Sequence, residues 1–131
     1  MHKPLNSVML IDDNEDDNYF HEIVLREASI TDKIEIEDAA YKALERLQKG
    51  HSAPDLIFLD INMPRMNGWE FLERYKTLNE NQKAKTVIIM LTTSLNPSDK
   101  KRAHSIPEID GFETKPLTKE MVIKIFEKFF K

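Results

Sequence analysis

The sequence of 131 residues contains no cysteine, no long apolar run and no excess of basic residues. The absence of cysteine excludes disulfides and thiolate metal sites and suits a reducing cytoplasm. The longest apolar run, Val87 to Leu91, has five residues, whereas a membrane-spanning helix needs roughly 20. A formal net charge of -4 argues against direct nucleic-acid binding, which depends on a basic face. We therefore expect a soluble, cytoplasmic protein with no direct contact with membrane or nucleic acid.

The length and even composition of the chain predict a single domain. A chain of this size buries about two-thirds of the surface that its unfolded form exposes, so one core is sufficient. No repeat, low-complexity stretch or change of composition marks a linker. We expect one domain over residues 1–131, with a core from about residue 6 to 130 and no output domain.

Short strand-like runs alternate with helical patterns along the chain. The apolar runs Val8–Ile11, Leu56–Leu59 and Val87–Leu91 are typical of strands buried on both faces. Lys33–Asp38 alternates with a period of two, which predicts a half-exposed strand near a sheet edge, and Gly111–Thr114 predicts a short last strand. Strands and helices alternate five times, a pattern that predicts an α/β fold with a doubly wound parallel sheet.

The first helix is predicted from a cap and an apolar stripe. Asn14 can cap a helix whose first turn is acidic, which is favourable at the positive end of the helix dipole. Phe20, Ile23, Val24 and Ala28 recur at helical spacing, so we expect this helix to run to about Ala28. The four histidines lack the spacing of metal ligands, and we expect them on the surface: His2, His21, His51 and His104.

Polar side chains follow three of the predicted strands. They are Asp12 and Asp13 after the first strand, Asp60 after the third and Thr92 after the fourth. The carboxyl ends of parallel strands meet at one edge of the sheet, so these groups should converge there. Three carboxylates repel one another unless a cation lies among them, and an open site of oxygen ligands suits Mg²⁺. With Lys115 at the same edge, the set suits a phosphoryl group that a carboxylate attacks while the metal, the ammonium and a hydroxyl stabilise its oxygens.

Four motifs resemble those of the receiver domains of two-component response regulators. They are Asp12-Asp13, Leu59-Asp60-Ile61-Asn62-Met63-Pro64 with Asn67-Gly68, Leu91-Thr92-Thr93-Ser94, and Phe112-Glu113-Thr114-Lys115-Pro116. The resemblance runs from Val8 to about Phe130, with the motifs in the family's order. It implies a flavodoxin-like fold: a five-stranded parallel sheet in the order 2-1-3-4-5 with helices on both faces. It also implies a stand-alone regulator similar to the chemotaxis regulators.

The resemblance implies a phosphoacceptor and a set of metal ligands. Asp60 would accept a phosphoryl group from a sensor histidine kinase or a histidine phosphotransfer protein. Asp13 would bind Mg²⁺ directly and Asp12 chiefly through water. Asp60 and the backbone carbonyl of Asn62 would complete the protein ligands.

The resemblance also implies a switch. Thr92 and Lys115 would contact the phosphoryl group, and Phe112 matches the aromatic that turns inward as Thr92 moves toward the phosphate. The Lys115–Pro116 bond is usually cis in this family. Thr93 stands where the family usually has a small residue, which implies narrower access to the site. The output would be binding to an unidentified downstream protein, relay of the phosphoryl group, or a phosphorylation-linked dimer.

Other functions remain open from the sequence. A degenerate receiver would act as a constitutive protein-binding module, without phosphorylation. An aspartyl-phosphate phosphatase of the haloacid dehalogenase type also uses an aspartate at a strand end, but it needs a second aspartate two residues on, where this chain has Asn62. A flavodoxin-like mononucleotide binder shares the layout, but the acidic segment after the first strand would repel phosphate.

Overall fold

The computed structural model describes residues 3–50, 53–78 and 86–131, in which five strands alternate with five helices. The strands are β1 (Val8–Ile11), β2 (Ile34–Glu37), β3 (Leu56–Leu59), β4 (Val87–Thr92) and β5 (Gly111–Thr114). The helices are α1 (Glu15–Ala28), α2 (Ala40–Lys49), α3 (Gly68–Tyr75), α4 (Pro97–His104) and α5 (Lys119–Phe129). None of the helices in these ranges is both long and apolar enough to cross a lipid bilayer.

The five strands form one parallel sheet in the order β2-β1-β3-β4-β5. The register places Leu10 of β1 beside Phe58 of β3, and Phe58 beside Ile89 of β4. This order confirms the predicted doubly wound sheet. It places the carboxyl end of β3 in the middle of the sheet, between those of β1 and β4, where the chain order reverses and ligands of such sheets bind.

The sheet lies between two apolar layers, because alternate side chains of each strand point to opposite faces. On one face, Leu10 packs in a cluster with Leu25 of α1 and Val122 of α5. On the other face, Met9 packs in a cluster that includes Leu44 of α2 and contributions from α3 and α4. The two layers confirm the prediction of helices on both faces.

The buried face of α1 combines apolar and polar side chains. Val24 is buried, but Phe20 and Ile23 are 47% and 41% exposed. The inward positions are held instead by Leu25 and by two polar residues that lie on the same face of the helix, Asn18 and His21. Apolar periodicity predicts the helix but does not mark these two polar side chains, which find partners inside the protein.

The surface position expected for His21 is wrong. His21 is only 2% exposed, and its Nε2 accepts a hydrogen bond of 3.3 Å from the backbone N–H of Leu117. His104 is exposed, as expected. His2 and His51 lie outside the described residues. His21 therefore connects α1 to the segment between β5 and α5.

Candidate functional site

Three carboxylates meet at the carboxyl edge of the sheet. Asp12 and Asp13 come directly after β1, and Asp60 comes directly after β3. Their carboxylate oxygens lie within 4.8 Å of one another. Asp12 and Asp60 are buried and Asp13 is exposed, so the cluster opens to solvent on one side. The convergence predicted from the sequence is present in the structure.

The loop after β3 packs closely against the backbone of Asp60. The N–H of Asp60 donates to the carbonyl of Ile11 at 3.0 Å, and the N–H of Gly68 donates to the carbonyl of Ile61 at 2.7 Å. A Cβ at Gly68 would come within 2.5 Å of the carbonyl oxygen of Asp60. A side chain at this position would therefore displace the backbone that carries the Asp60 carboxylate.

The start of α3 holds Gly68 in this place through a reciprocal cap. Asn67 accepts a hydrogen bond from the N–H of Glu70 at 2.9 Å, and the Glu70 carboxylate accepts one from the N–H of Asn67 at 3.0 Å. Such a capping box satisfies two donors that a helix N-terminus otherwise leaves unpaired. The cap therefore fixes where the helix begins, directly beside Asp60.

Lys115 brings an ammonium group among the carboxylates. Its Nζ lies 2.6 Å from Oδ2 of Asp12, 2.8 Å from Oδ2 of Asp17 and 3.8 Å from Oδ1 of Asp60. Its backbone N–H donates to the carbonyl of Thr92 at 2.8 Å, which ties the end of β5 to the end of β4. The Lys115–Pro116 peptide bond is cis, as the resemblance implied.

The contact with Asp17 did not follow from the sequence. From the sequence alone, Glu15, Asp16 and Asp17 are best interpreted as a solvated helix start, and Glu15 and Asp16 are indeed exposed. Asp17 instead lies only partly exposed against Lys115. No local signal in the sequence marks this contact, because the partner of Asp17 lies 98 positions away.

Burial and charge change the titration of the site. Burial, followed by the charge of Asp12, raises the pKa of Asp60 to about 6, although Lys115 opposes both effects. For Lys115, burial lowers the pKa, but hydrogen bonds to Asp12 and Asp17 outweigh it and the net pKa is raised. For His21, burial and then the charge of Lys115 lower the pKa. One ammonium thus compensates the acidic cluster only in part, so a bound cation would stabilise its ionised form.

The Thr92 hydroxyl is buried at the end of β4 and tied to the loop that follows. Its Oγ1 accepts a hydrogen bond from the N–H of Ser94 at 3.1 Å, and the Ser94 hydroxyl donates to Asp99 of α4 at 2.5 Å. Thr93 is exposed. The link from Thr92 to α4 through Ser94 and Asp99 was not predicted, because it depends on the fold of a loop.

Two more of the predicted residues lie near this edge. Phe112 of β5 pairs with Met90 in the sheet and packs, partly buried, against the cluster on the α2 and α3 face. Asn62 is exposed in the loop after β3, two residues beyond Asp60. The sequence prediction therefore named residues that the fold brings to one end of the sheet.

The donor set suits a hard divalent cation. Three carboxylates within 4.8 Å of one another supply oxygen ligands and negative charge, and the exposed side leaves room for water ligands. The site can thus combine a cation, an ammonium and a hydroxyl around one buried carboxylate. This combination is suited to stabilising a phosphoryl group on that carboxylate.

Comparisons with known proteins agree with this fold. Residues 8–127 match the family described as the response regulator receiver domain. Protein PilG of Pseudomonas aeruginosa is 31% identical over 116 residues, which cover 88% of this chain and 81% of PilG. The structure of a two component response regulator from Cytophaga hutchinsonii has a TM-score of 0.88 and 29% identity, over 95% of this chain and 96% of that one.

One relative is a much longer protein. Protein-glutamate methylesterase/protein-glutamine glutaminase 1 of Methanospirillum hungatei is 37% identical over 103 residues, which cover 77% of this chain but only 29% of that protein. The similarity therefore concerns one part of that protein. The match over residues 8–127 includes all five strands and the acidic cluster, and it shows that this chain belongs to the response regulator receiver domain family.

Proposed function

We propose that this protein is a phosphorylation-controlled switch in which Asp60 accepts a phosphoryl group from a histidine of a sensor kinase or phosphotransfer protein. Membership of the receiver family supports a place in two-component signalling, and we place the switch in the cytoplasm. The observation that carries the proposal is the surroundings of Asp60. It is a buried strand-end carboxylate with two further carboxylates within 4.8 Å and an ammonium at 3.8 Å.

The proposed reaction moves one phosphoryl group between two nucleophiles. An oxygen of the Asp60 carboxylate forms a bond to phosphorus, while the bond from phosphorus to the imidazole nitrogen of the donor breaks and the nitrogen keeps the electron pair. With a pKa of about 6, most of Asp60 is ionised at neutral pH and can act as the nucleophile. The product is an aspartyl phosphate and a free histidine.

We propose Mg²⁺ as the metal of the acidic cluster. Asp12, Asp13, Asp60 and the backbone carbonyl of Asn62 would hold it, with water in the remaining positions. A site made of oxygen ligands and open to solvent agrees with the preference of Mg²⁺ to keep several waters. When bound, the ion supplies positive charge that offsets the carboxylates and the phosphoryl oxygens.

We propose that Lys115 and Thr92 contact the phosphoryl group once it is on Asp60. The ammonium of Lys115 lies 3.8 Å from Asp60, which is near enough to donate a hydrogen bond to an oxygen of a phosphoryl group bound there. The Thr92 oxygen accepts a hydrogen bond from Ser94, so the hydroxyl proton is free to be donated to a phosphoryl oxygen. Movement of Thr92 toward that oxygen would let Phe112 turn inward. The changed surface around β5 would then bind a downstream protein or a second copy of this chain.

Intact-mass spectrometry after incubation with acetyl phosphate tests this function. In Mg²⁺ we expect a single phosphoryl adduct on the wild-type protein, and in EDTA we expect none. Asp60→Asn should abolish the adduct. Asp32→Asn is the matched control, because Asp32 is an exposed aspartate that precedes β2 at the opposite end of the sheet.

The control separates the site from a general effect of charge. Asp32→Asn should take up the phosphoryl group like the wild type. A phosphoryl adduct of equal yield on Asp60→Asn would refute the assignment. The complete absence of an adduct on the wild type, with acetyl phosphate and with a phosphorylated histidine phosphotransfer protein as donors, would favour a constitutive binding module.

A further inference from the structure

Asp17 makes a contact that its place at the start of a helix does not require. Its Oδ2 accepts a hydrogen bond from Nζ of Lys115 at 2.8 Å, across 98 positions of the sequence. The backbone of Asp17 is held by the N-cap, because its N–H donates to Oδ1 of Asn14 at 2.9 Å. Glu15 and Asp16 of the same turn are exposed. The start of α1 therefore presents one carboxylate to the site and two to solvent.

The same helix also holds the backbone beyond Lys115. His21, one turn after Asp17, accepts the hydrogen bond from the N–H of Leu117. Lys115 itself is tied through its N–H to the carbonyl of Thr92. Hydrogen bonds thus hold the backbone at Lys115 and at Leu117. The position of the Lys115 ammonium then depends on the groups that contact the side chain. Those groups are the carboxylates of Asp12 and Asp17.

The two short contacts keep the ammonium away from Asp60. Nζ lies 2.6 Å from Asp12 and 2.8 Å from Asp17, but 3.8 Å from Asp60, which is longer than a hydrogen bond. The Asp60 oxygen is thus free of a direct hydrogen bond from the ammonium and can attack phosphorus. The ammonium nevertheless stays near enough to meet an oxygen of a phosphoryl group bound there.

We propose that Asp17 is a positioning residue for phosphoryl transfer, which holds Lys115 beside Asp60 but out of direct contact with it. Without the Asp17 carboxylate, the attraction between opposite charges draws the ammonium onto Asp60 and masks the nucleophile. Asp17 acts through Lys115 and does not itself touch the phosphoryl group. This inference rests on the proposed function of Asp60.

The rate of phosphorylation by acetyl phosphate in saturating Mg²⁺ tests the role of Asp17. We expect Asp17→Asn to slow the reaction by about tenfold, since misplacing a reacting group by an ångström can cost more than that. Asp17→Glu, which keeps the carboxylate, should restore part of the rate. Asp16→Asn is the matched control, because it removes the same charge from the same turn at an exposed position. Loss of negative charge alone favours approach of the anionic donor. Asp16→Asn should therefore be phosphorylated at the wild-type rate or faster.

A double-mutant cycle with Lys115→Met asks whether Asp17 acts through the ammonium. In that background Asp17→Asn should have no further effect on the rate.

A second measurement does not depend on phosphorylation. In Asp17→Asn the NMR signal of the ¹⁵N-labelled Lys115 ammonium should shift, and the ammonium protons should exchange faster with water. In Asp16→Asn both should stay as in the wild type.

The outcomes separate this inference from the function on which it rests. A wild-type rate in Asp17→Asn, equal slowing in the Lys115→Met background, or an unchanged Lys115 ammonium signal would each overturn the positioning role and leave Asp60 as the phosphoacceptor. Failure of the wild type to accept a phosphoryl group from any donor would overturn the proposed function itself.

Discussion

At the scale of single residues, Asp60 combines two properties that ordinarily oppose each other. It is ionisable, yet it is only 8% exposed and lies beside the carboxylates of Asp12 and Asp13. Burial, followed by the charge of Asp12, raises its pKa to about 6. The nearby ammonium of Lys115 is engaged mainly by Asp12 and Asp17. The ionised form of Asp60 therefore destabilises the fold when no metal is present.

The first prediction is a dependence of stability on pH in EDTA. The pKa of Asp60 is about 6 in the folded protein, while an unfolded aspartate has a pKa of about 3.9. Between these values the folded state binds more protons, so stability falls as pH rises through this window and stays lower above it. Asp60→Asn removes this effect. We expect the variant to be more stable than the wild type by about 1 to 3 kcal/mol at about pH 8, with the difference shrinking toward about pH 4.

Chemical denaturation at a series of pH values measures this difference. Asp32 is an exposed position at the other end of the sheet. The free energy of unfolding of Asp32→Asn should therefore equal that of the wild type at every pH. If the free energies of unfolding of Asp60→Asn and the wild type differed by the same amount at all pH values, the raised pKa of Asp60 would be contradicted.

The second prediction concerns Gly68, where a Cβ would meet the carbonyl oxygen of Asp60 at 2.5 Å. Gly68→Ala should lower the free energy of unfolding by about 1 to 3 kcal/mol, because backbone must shift to relieve the overlap. The shift moves Asp60, so phosphorylation should slow as well. Gly111→Ala is the control: its Cβ would meet Cδ1 of Ile89, the end of a side chain, at 2.8 Å. Equal loss of phosphorylation rate in both variants would contradict a specific effect on Asp60.

At the scale of elements, α1 joins the ends of β1 and β5. Asn18 donates a hydrogen bond to the carbonyl of Asp12 at 2.8 Å, Asp17 accepts one from Lys115 and His21 accepts one from Leu117. These polar contacts lie on the helix face that also carries Leu25. The helix thus aligns two parts of the site that are nearly a hundred residues apart in the chain.

Helix α1 also shows which features could be predicted from the sequence and which could not. Its bounds and its Asn14 cap are local features, and both were predicted. The strand ends Asp12, Asp60 and Thr92 were likewise predicted, since they follow apolar runs directly. The inward turn of Asp17 and His21 depends on partners 98 and 96 residues away, which no local pattern records. Periodicity therefore predicted the helix but not the polar residues of its buried face.

The third prediction tests which stripe of α1 is buried. Leu25 is fully buried, while Ile23 is 41% exposed. Leu25→Ala should lower the free energy of unfolding by about 2 to 5 kcal/mol, the usual range for a buried leucine. Ile23→Ala removes a side chain of the same size from the same helix. It should change the free energy of unfolding by no more than about 0.5 kcal/mol. Thermal or denaturant unfolding of the two variants makes the comparison, and equal destabilisation would contradict the assignment of the buried face.

At the scale of the whole molecule, the order β2-β1-β3-β4-β5 brings the candidate residues to one end of the sheet. Four separate segments supply the acids, the hydroxyl and the ammonium, and the parallel direction of the strands places all of them at the carboxyl edge. The strand order itself came from the resemblance to a known family. Alternating strands and helices predict a parallel sheet, but many strand orders satisfy that pattern.

Chemical mapping of the modified residue tests whether Asp60 becomes an aspartyl phosphate. Sodium borohydride reduces an acyl phosphate to an alcohol, so a phosphorylated aspartate becomes homoserine. After phosphorylation in Mg²⁺ and reduction, we expect peptide mass spectrometry to find homoserine at position 60. When EDTA replaces Mg²⁺, we expect an unmodified chain. Homoserine at Asp12 or Asp13 instead, or at no aspartate of a protein that carries the phosphoryl mass, would contradict this assignment of the phosphoacceptor.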